Sequence, residues 1–243
     1  MATERETTVQ DLKEKGNNCV REHKYEEAMY HYTLGIKMDP QNYSLYSNRS
    51  LVFLRMQQYH LSMEDALMTI QIKPDWTKGY YRRAEVEFHT FRFSEAIQSY
   101  RKALELQPDD PSIIDAMNRA SRSLLQDKRA DQQIPWLGAG VGIILGVIVV
   151  IADYVFTNKP TLSHPILMVL MTMAIAIIGF GVAKGFRYFV KCQRKSLLEP
   201  PVDLFEEKEK EDALSDADKS GEKDKHPKYS KAQARQRFKK GKS

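Results

Sequence analysis

The chain has 243 residues, with 37 Lys+Arg against 32 Asp+Glu and a formal net charge of +5. Its two cysteines, Cys19 and Cys192, and six scattered histidines give neither a disulfide framework nor a metal-ligand spacing, so catalytic residues, metals and cofactors are all expected to be absent. Charge is unevenly distributed: residues 1–130 carry 19 of each sign, 199–218 hold nine acids against two lysines, and 219–243 hold ten bases against two acids. The N-terminal half therefore has no generally basic surface, and nucleic acid is not expected as its partner.

In chain order, residues 1–8 form a short extension, and the opening MATERETTVQDLKEK is too charged for a secretory signal. A repeat of 34 residues follows. Pro40, Pro74 and Pro108 are spaced by it, as are Tyr25, Tyr59 and Phe93, Gly16, Ser50 and Ala84, and Ala28, Ser62 and Ala96, while Tyr32 and Tyr100 match across two periods. Each unit reads as two amphipathic helices, with small residues where they approach closely and a proline closing the second. The repeats span 9–42, 43–76 and 77–110. Asp110-Pro111 then opens a capping helix over 111–129, Asp as N-cap and Pro in the first turn, to cover the last apolar face. The whole resembles the tetratricopeptide-repeat (TPR) family. That implies an all-α fold: a three-repeat TPR solenoid with a capping helix, followed here by two transmembrane helices and a disordered charged tail.

In such a solenoid the first helix of each unit lines a concave groove, where polar residues have no packing role. Lys13 and Asn17 share one helical face, Asn48 lies on the first helix of repeat two, and Lys78 and Arg82 share a face in repeat three. The strings LKEKGNN (12–18), LYSNRS (45–50) and KPDWTKGYYRRA (73–84) resemble the carboxylate-clamp TPR domains of chaperone-organising cochaperones. The likeness covers roughly 9–125 and is greatest to the first TPR module of the Hsp-organising protein. The resemblance implies that Lys13, Asn17, Asn48, Lys78 and Arg82 grip the Glu-Glu-Val-Asp C-terminus of the seventy- and ninety-kilodalton heat-shock chaperones. It further implies that Val20, Leu51 and Leu54 line a pocket for the ligand's valine, with Arg55 as an additional polar contact. Where this chain has Leu51 and Leu54 the family more often has alanine. Three cations and two amides offer many donors to a carboxylate, Arg82 in a fork and the lysines as point charges.

Two apolar runs come next, Trp136 to Ala152 and Ile166 to Ala183, assigned to transmembrane helices at 136–156 and 166–188, each of spanning length. Arg119, Arg122, Lys128 and Arg129 precede the first; Lys184, Arg187, Lys191, Arg194 and Lys195 follow the second; the connecting loop carries Lys159 alone. Both termini are therefore expected in the cytosol. Gly138, Gly142 and Gly146, and likewise Gly181 and Gly185, recur every four residues. They favour packing within the hairpin over association with another membrane protein or a second copy. Cys192, just past the second span, is placed for palmitoylation. The tail 199–243 lacks an apolar face and is expected to be disordered, its basic end either a solvated tail or suited to anionic lipid or RNA. Lys239-Lys240 resembles a dilysine retrieval signal, with Gly241 departing from the pattern. The endoplasmic reticulum is the favoured membrane and the mitochondrial outer membrane the alternative.

The expected function is that of a membrane-anchored adaptor recruiting cytosolic heat-shock 70 or 90 chaperones. A TPR scaffold that recognises another acidic C-terminus is the second reading. No nucleophile–base motif, metal spacing or phosphate loop supports an enzyme or channel.

Overall fold

The computed structural model describes residues 8–156 and 164–200. Most of the N-terminal extension, the loop residues Asn158, Lys159 and Pro160, and the acidic and basic stretches of the tail beyond 200 lie outside the described residues. Among the described residues the fold is all-helical, with eight helices: α1 (Val9–Arg21), α2 (Tyr25–Met38), α3 (Tyr43–Arg55), α4 (Tyr59–Ile72), α5 (Thr77–His89), α6 (Phe93–Leu106), α7 (Pro111–Phe156) and α8 (Pro165–Ser196).

The period of 34 is visible in the backbone as well as in the side chains. α1, α3 and α5 are each followed, two residues past the last helical one, by a residue with positive φ, namely His23 (62°), Gln57 (60°) and Phe91 (61°). At each, two backbone bonds close the helix: Lys24 N–H donates to the Cys19 carbonyl and His23 N–H to that of Val20, with matching pairs Gln58–Phe53 and Gln57–Leu54, then Arg92–Glu87 and Phe91–Phe88. These are Schellman closures built without glycine, so the left-handed residue is tolerated for the orphan carbonyls it satisfies. At the other end of the solenoid's first helix, Thr8 and Asp11 form a capping box: Asp11 N–H donates to Thr8 Oγ1 (3.1 Å) and Thr8 N–H to Asp11 Oδ2 (3.0 Å).

The small-residue columns sit where helix pairs touch. Ala28, Ala84 and Ala96 are fully buried. In repeat two both members are serines, and Ser50 Oγ donates to the Ser62 carbonyl (2.8 Å) while Ser62 Oγ donates to that of Ser50 (2.7 Å). Repeats one and two are tied by Arg49, whose guanidinium donates twice to Asp65 (2.8 Å each) and once to Thr33 Oγ1 (3.0 Å). In the next repeat Arg83 takes the same column but donates to Glu87 on its own helix, and Ser99 Oγ completes that acid at 2.6 Å. α1, α3 and α5 pack against one another as well as against their partners. The first helices thus form the inner layer of a curved stack, and α2, α4 and α6 its outer layer.

Two departures concern the C-terminal part. The capping helix and the first apolar segment are one continuous helix, α7, whose 46 residues extend about 69 Å at 1.5 Å per residue. The connecting stretch 130–135 (ADQQIP) contains helix formers, and Pro135, which is buried, forfeits only one ladder bond, to the carbonyl of Asp131. α7 begins as expected: Asp110 Oδ1 accepts from Ser112 N–H (2.9 Å). α8 in turn runs to Ser196, a little over two turns past the expected end of the apolar segment at 188.

The cations after the second apolar run are largely engaged. Arg187 donates to Asp127 Oδ1 (3.0 Å) and Asp131 Oδ1 (2.7 Å), Lys191 pairs with Asp131 (2.5 Å), and Arg194 pairs with Asp127 (2.8 Å). The Arg194 guanidinium also covers the Phe91 ring at 4.2 Å. This cluster joins α7 and α8 to the α5–α6 turn of the third repeat. Further along the hairpin, glycines 138, 142 and 146 of α7 face α8: a Cβ at Gly138 would stand 2.5 Å from the Gly179 carbonyl oxygen, and one at Gly142 2.7 Å from that of Ile175. Gly181 and Gly185 face open space instead. The α8 residues that meet α7, Thr172, Ala176, Gly179 and Ala183, define a helical face on which positions 181 and 185 do not lie.

Candidate functional site

The inner layer places polar groups from three repeats within reach of one another. Asn17, on α1, is the centre. Its Oδ1 accepts from the Tyr32 hydroxyl at 2.8 Å and from Asn48 Nδ2, on α3, at 3.1 Å. Tyr32 is 1% exposed and reaches Asn17 because Gly16, directly under its ring, has no side chain; a Cβ there would lie 2.5 Å from Cε1. With its acceptor oxygen doubly engaged, the Asn17 amide has only N–H donors left to offer. Asn17, Val20, Tyr32, Asn48 and Leu51, with Arg21, line a cleft of about 330 Å³.

Arg82, on α5, faces the same region, and its charge acts on the Tyr32 hydroxyl. Burial pushes the Tyr32 pKa up to about 12, partly opposed by the Asn48 amide and by Arg82. Burial also lowers the pKa of Arg82 from its ordinary value; neighbouring Glu85 and Tyr81 oppose this and the positive charge of Arg55 adds to it. Its Nε is buried without a hydrogen-bond partner. A buried, unpartnered guanidinium N–H is costly unless an acceptor meets it, and the donor set around it is the chemistry of an anion receptor.

The remaining residues singled out in the sequence divide. Lys13 is half-buried on α1, one turn before Asn17, and Lys78 is exposed on α5, one turn before Arg82, with its Nζ 5.9 Å from the Trp76 ring. Arg55 is exposed at the end of α3, while Leu54 is only 6% exposed and does not line the cleft beside Val20 and Leu51. α3 is flanked by helices on both sides, so its inward-facing arc is narrower than that of α1, and Leu54 falls on the packed part. Two groups escaped sequence reasoning. Tyr32 enters the sequence reading only as a repeat column, and Glu85, which accepts from the Tyr100 hydroxyl at 2.6 Å, does not enter it. The 34-residue register that pairs Tyr32 with Tyr100 also pairs Asn17 with Glu85, and this was the signal for both.

Stacked antiparallel helix pairs with a polar inner layer define a repeat-type binding module. Residues 77–110 match the tetratricopeptide repeat family, and the helix pairs of α1–α6 have the fold of a TPR solenoid. The chain is 38% identical over 111 residues to an Hsp70-Hsp90 organising protein of Plasmodium falciparum, covering 46% of this chain and 44% of that protein. It is 37% identical over 125 residues to Hsp70-Hsp90 organizing protein 3 of Arabidopsis thaliana, covering 51% of this chain and 22% of that protein. The chain thus spans less than half the length of these relatives. Among solved structures it is similar to the first TPR of Spaghetti (RPAP3) bound to the HSP90 peptide SRMEEVD, with 29% identity, 51% of this chain, 99% of that chain and a TM-score of 0.47. It is also similar to the first TPR domain of human RPAP3, with 30% identity, 49% of this chain, 94% of that chain and a TM-score of 0.48.

Proposed function

We propose that the inner layer of the three repeats binds the free acidic C-terminus of a heat-shock 70 or 90 chaperone, and that α7 and α8 anchor this receptor in a membrane. Lys13, Asn17, Asn48, Lys78 and Arg82 grip the terminal carboxylates, and Val20 and Leu51 flank the ligand's apolar side chain. The observation that carries the reading is the Tyr32–Asn17–Asn48 network beside the unpartnered Arg82 Nε. It occupies the acceptor oxygen of Asn17 and leaves that amide, beside the Arg82 guanidinium, with donors to offer. Relatives named for organising Hsp70 and Hsp90 support the choice of ligand. Each charge-assisted bond contributes about 1.5–3 kcal/mol, so a few of them, less the ordering of a flexible tail, correspond to roughly micromolar affinity.

Membrane anchoring rests on exposure. Both helices contain stretches long and apolar enough to cross a bilayer. Their large apolar side chains, among them Trp136, Ile144, Ile148, Ile151, Ile177 and Ile178, are more than half exposed. A soluble hairpin would bury such a surface; lipid covers it. Cations flank the two segments at the end nearest the repeats, which supports an orientation with both termini in the cytosol, where the chaperones are, and the endoplasmic reticulum is the favoured membrane.

The test is a titration of the full chain in detergent with a peptide ending in Glu-Glu-Val-Asp. The free acid should bind and the C-terminal amide should not; Lys78→Ala with Arg82→Ala should weaken binding at least about tenfold with helicity retained. Equal affinity for acid and amide would overturn the reading. Extraction by alkaline carbonate would overturn the anchor.

A further inference from the structure

The third repeat carries a carboxylate where the first carries an amide. In steps of 34, Asn17 corresponds to Leu51 and Glu85, Tyr32 to Ala66 and Tyr100, and Gly16 to Ser50 and Ala84. The local geometry is repeated: the buried Tyr100 hydroxyl donates to Glu85 Oε1 at 2.6 Å as that of Tyr32 donates to Asn17 Oδ1 at 2.8 Å. For holding a tyrosine hydroxyl a neutral acceptor is enough, as the first repeat shows. The negative charge at position 85 is therefore an addition. It sits one helical turn beyond Arg82 on α5, half-buried, and close enough for its charge to act on that guanidinium. On the same helix the order is Lys78, Arg82, Glu85: two cations suited to an acidic ligand and then an acid that repels one. Tyr100 fixes one oxygen of Glu85 and so fixes where that repulsion is felt.

We propose that Glu85 sets the charge selectivity of the groove next to the carboxylate-gripping residues. It disfavours ligands with an acidic residue where the chain passes α5 beyond Arg82, and favours those with a basic or neutral residue there. The ligand class is an acidic C-terminus preceded by a non-acidic segment, a narrower class than acidic tails in general. This rests on the groove being the site for a free acidic C-terminus, as proposed above.

The test uses the full chain in detergent and free-acid peptides ending in Glu-Glu-Val-Asp, with Lys, Gln or Glu at each of the three positions before that ending. At one position the Lys peptide should bind at least about fivefold more tightly than the Glu peptide at low salt, with the difference shrinking as salt rises. Glu85→Gln keeps an acceptor for Tyr100 and should leave the melting temperature near that of the unaltered chain, yet bring Lys and Glu peptides within about twofold of each other. Glu85→Lys should invert the preference. A Lys–Glu difference that persists in Glu85→Gln, or none at any position in the unaltered chain, would overturn the proposal while leaving the groove reading intact. Failure of every free-acid peptide to bind would instead overturn the groove reading, and this proposal with it.

Discussion

Gly16→Ala separates helix propensity from site geometry. By propensity alone the substitution stabilises a helix by about 1 kcal/mol. The space around Gly16 opposes this, because a Cβ there would stand 2.5, 2.8 and 2.9 Å from Cε1, Cζ and Cδ1 of Tyr32. Tyr32 is a buried ring, not a flexible tip, and clears the methyl only by moving as a whole. Repeat three shows the alternative arrangement: alanine occupies the column at position 84, and the tyrosine hydroxyl meets Glu85, a side chain one methylene longer than asparagine. The displaced Tyr32 hydroxyl should therefore lose Asn17. Overpacking by one methyl costs about 1–3 kcal/mol, so the net loss of stability is about 0–2 kcal/mol. The unfastened Asn17 amide forfeits a hydrogen bond of about 1 kcal/mol, close to fivefold in affinity. Calorimetric titration with a Glu-Glu-Val-Asp peptide and a thermal melt measure the two effects. Adding Asn17→Gln restores reach and should recover part of the affinity. A single variant that gains the full propensity benefit and binds as well as the parent would refute the reasoning.

Two further perturbations test other parts of the molecule. Asp65→Ala removes the bidentate partner of Arg49, whose side chain is 17% exposed, and should cost about 3–5 kcal/mol because a largely buried cation is left unpaired; denaturant titration of the repeats reads this, and a loss under 1 kcal/mol would contradict it. Asp127 and Asp131 are raised by burial but pulled below their usual value by Arg194, Lys191 and Arg187. Carboxylates lowered in the folded state contribute stability above their unfolded value of 3.8 and lose it as pH falls through the folded one. The distance between spin labels at Gln126 and Lys195 should accordingly be narrowly distributed at neutral pH and broaden in acid well below about pH 4; a distribution that stays narrow there would contradict the pairing.

How much was legible in the sequence follows the range of the interactions. The helix pairs were legible because Pro40, Pro74, Pro108 and the small-residue columns repeat locally, and each position is decided by near neighbours. The turns were legible in place but not in chemistry: His23, Gln57 and Phe91 give no glycine signal, although they too stand 34 apart. The fusion of capping helix and apolar segment is not legible in the change from polar to apolar composition, because that change does not interrupt the backbone ladder of α7. The pairing of Asp127 and Asp131 with Arg187, Lys191 and Arg194 spans about 60 residues, and only the packing of α8 on α7 brings it together. In the site, the Asn17 and Arg82 surroundings follow from helix register, but the direction in which Asn17 presents its amide depends on Tyr32 from another helix. The burial of Leu54 is hidden for a similar reason, since it is set by neighbours of α3 and not by α3 itself.

The central claim is that the amides of Asn17 and Asn48 point their donors at the free acid end of a bound chain. Side-chain amide resonances of the full protein in micelles, followed by NMR during titration with a Glu-Glu-Val-Asp peptide, report on it directly. The account predicts downfield shifts of both NH2 groups with the free acid and none with the C-terminal amide. Unchanged Asn17 and Asn48 signals, with shifts confined to α2, α4 and α6 on the outer layer, would contradict it.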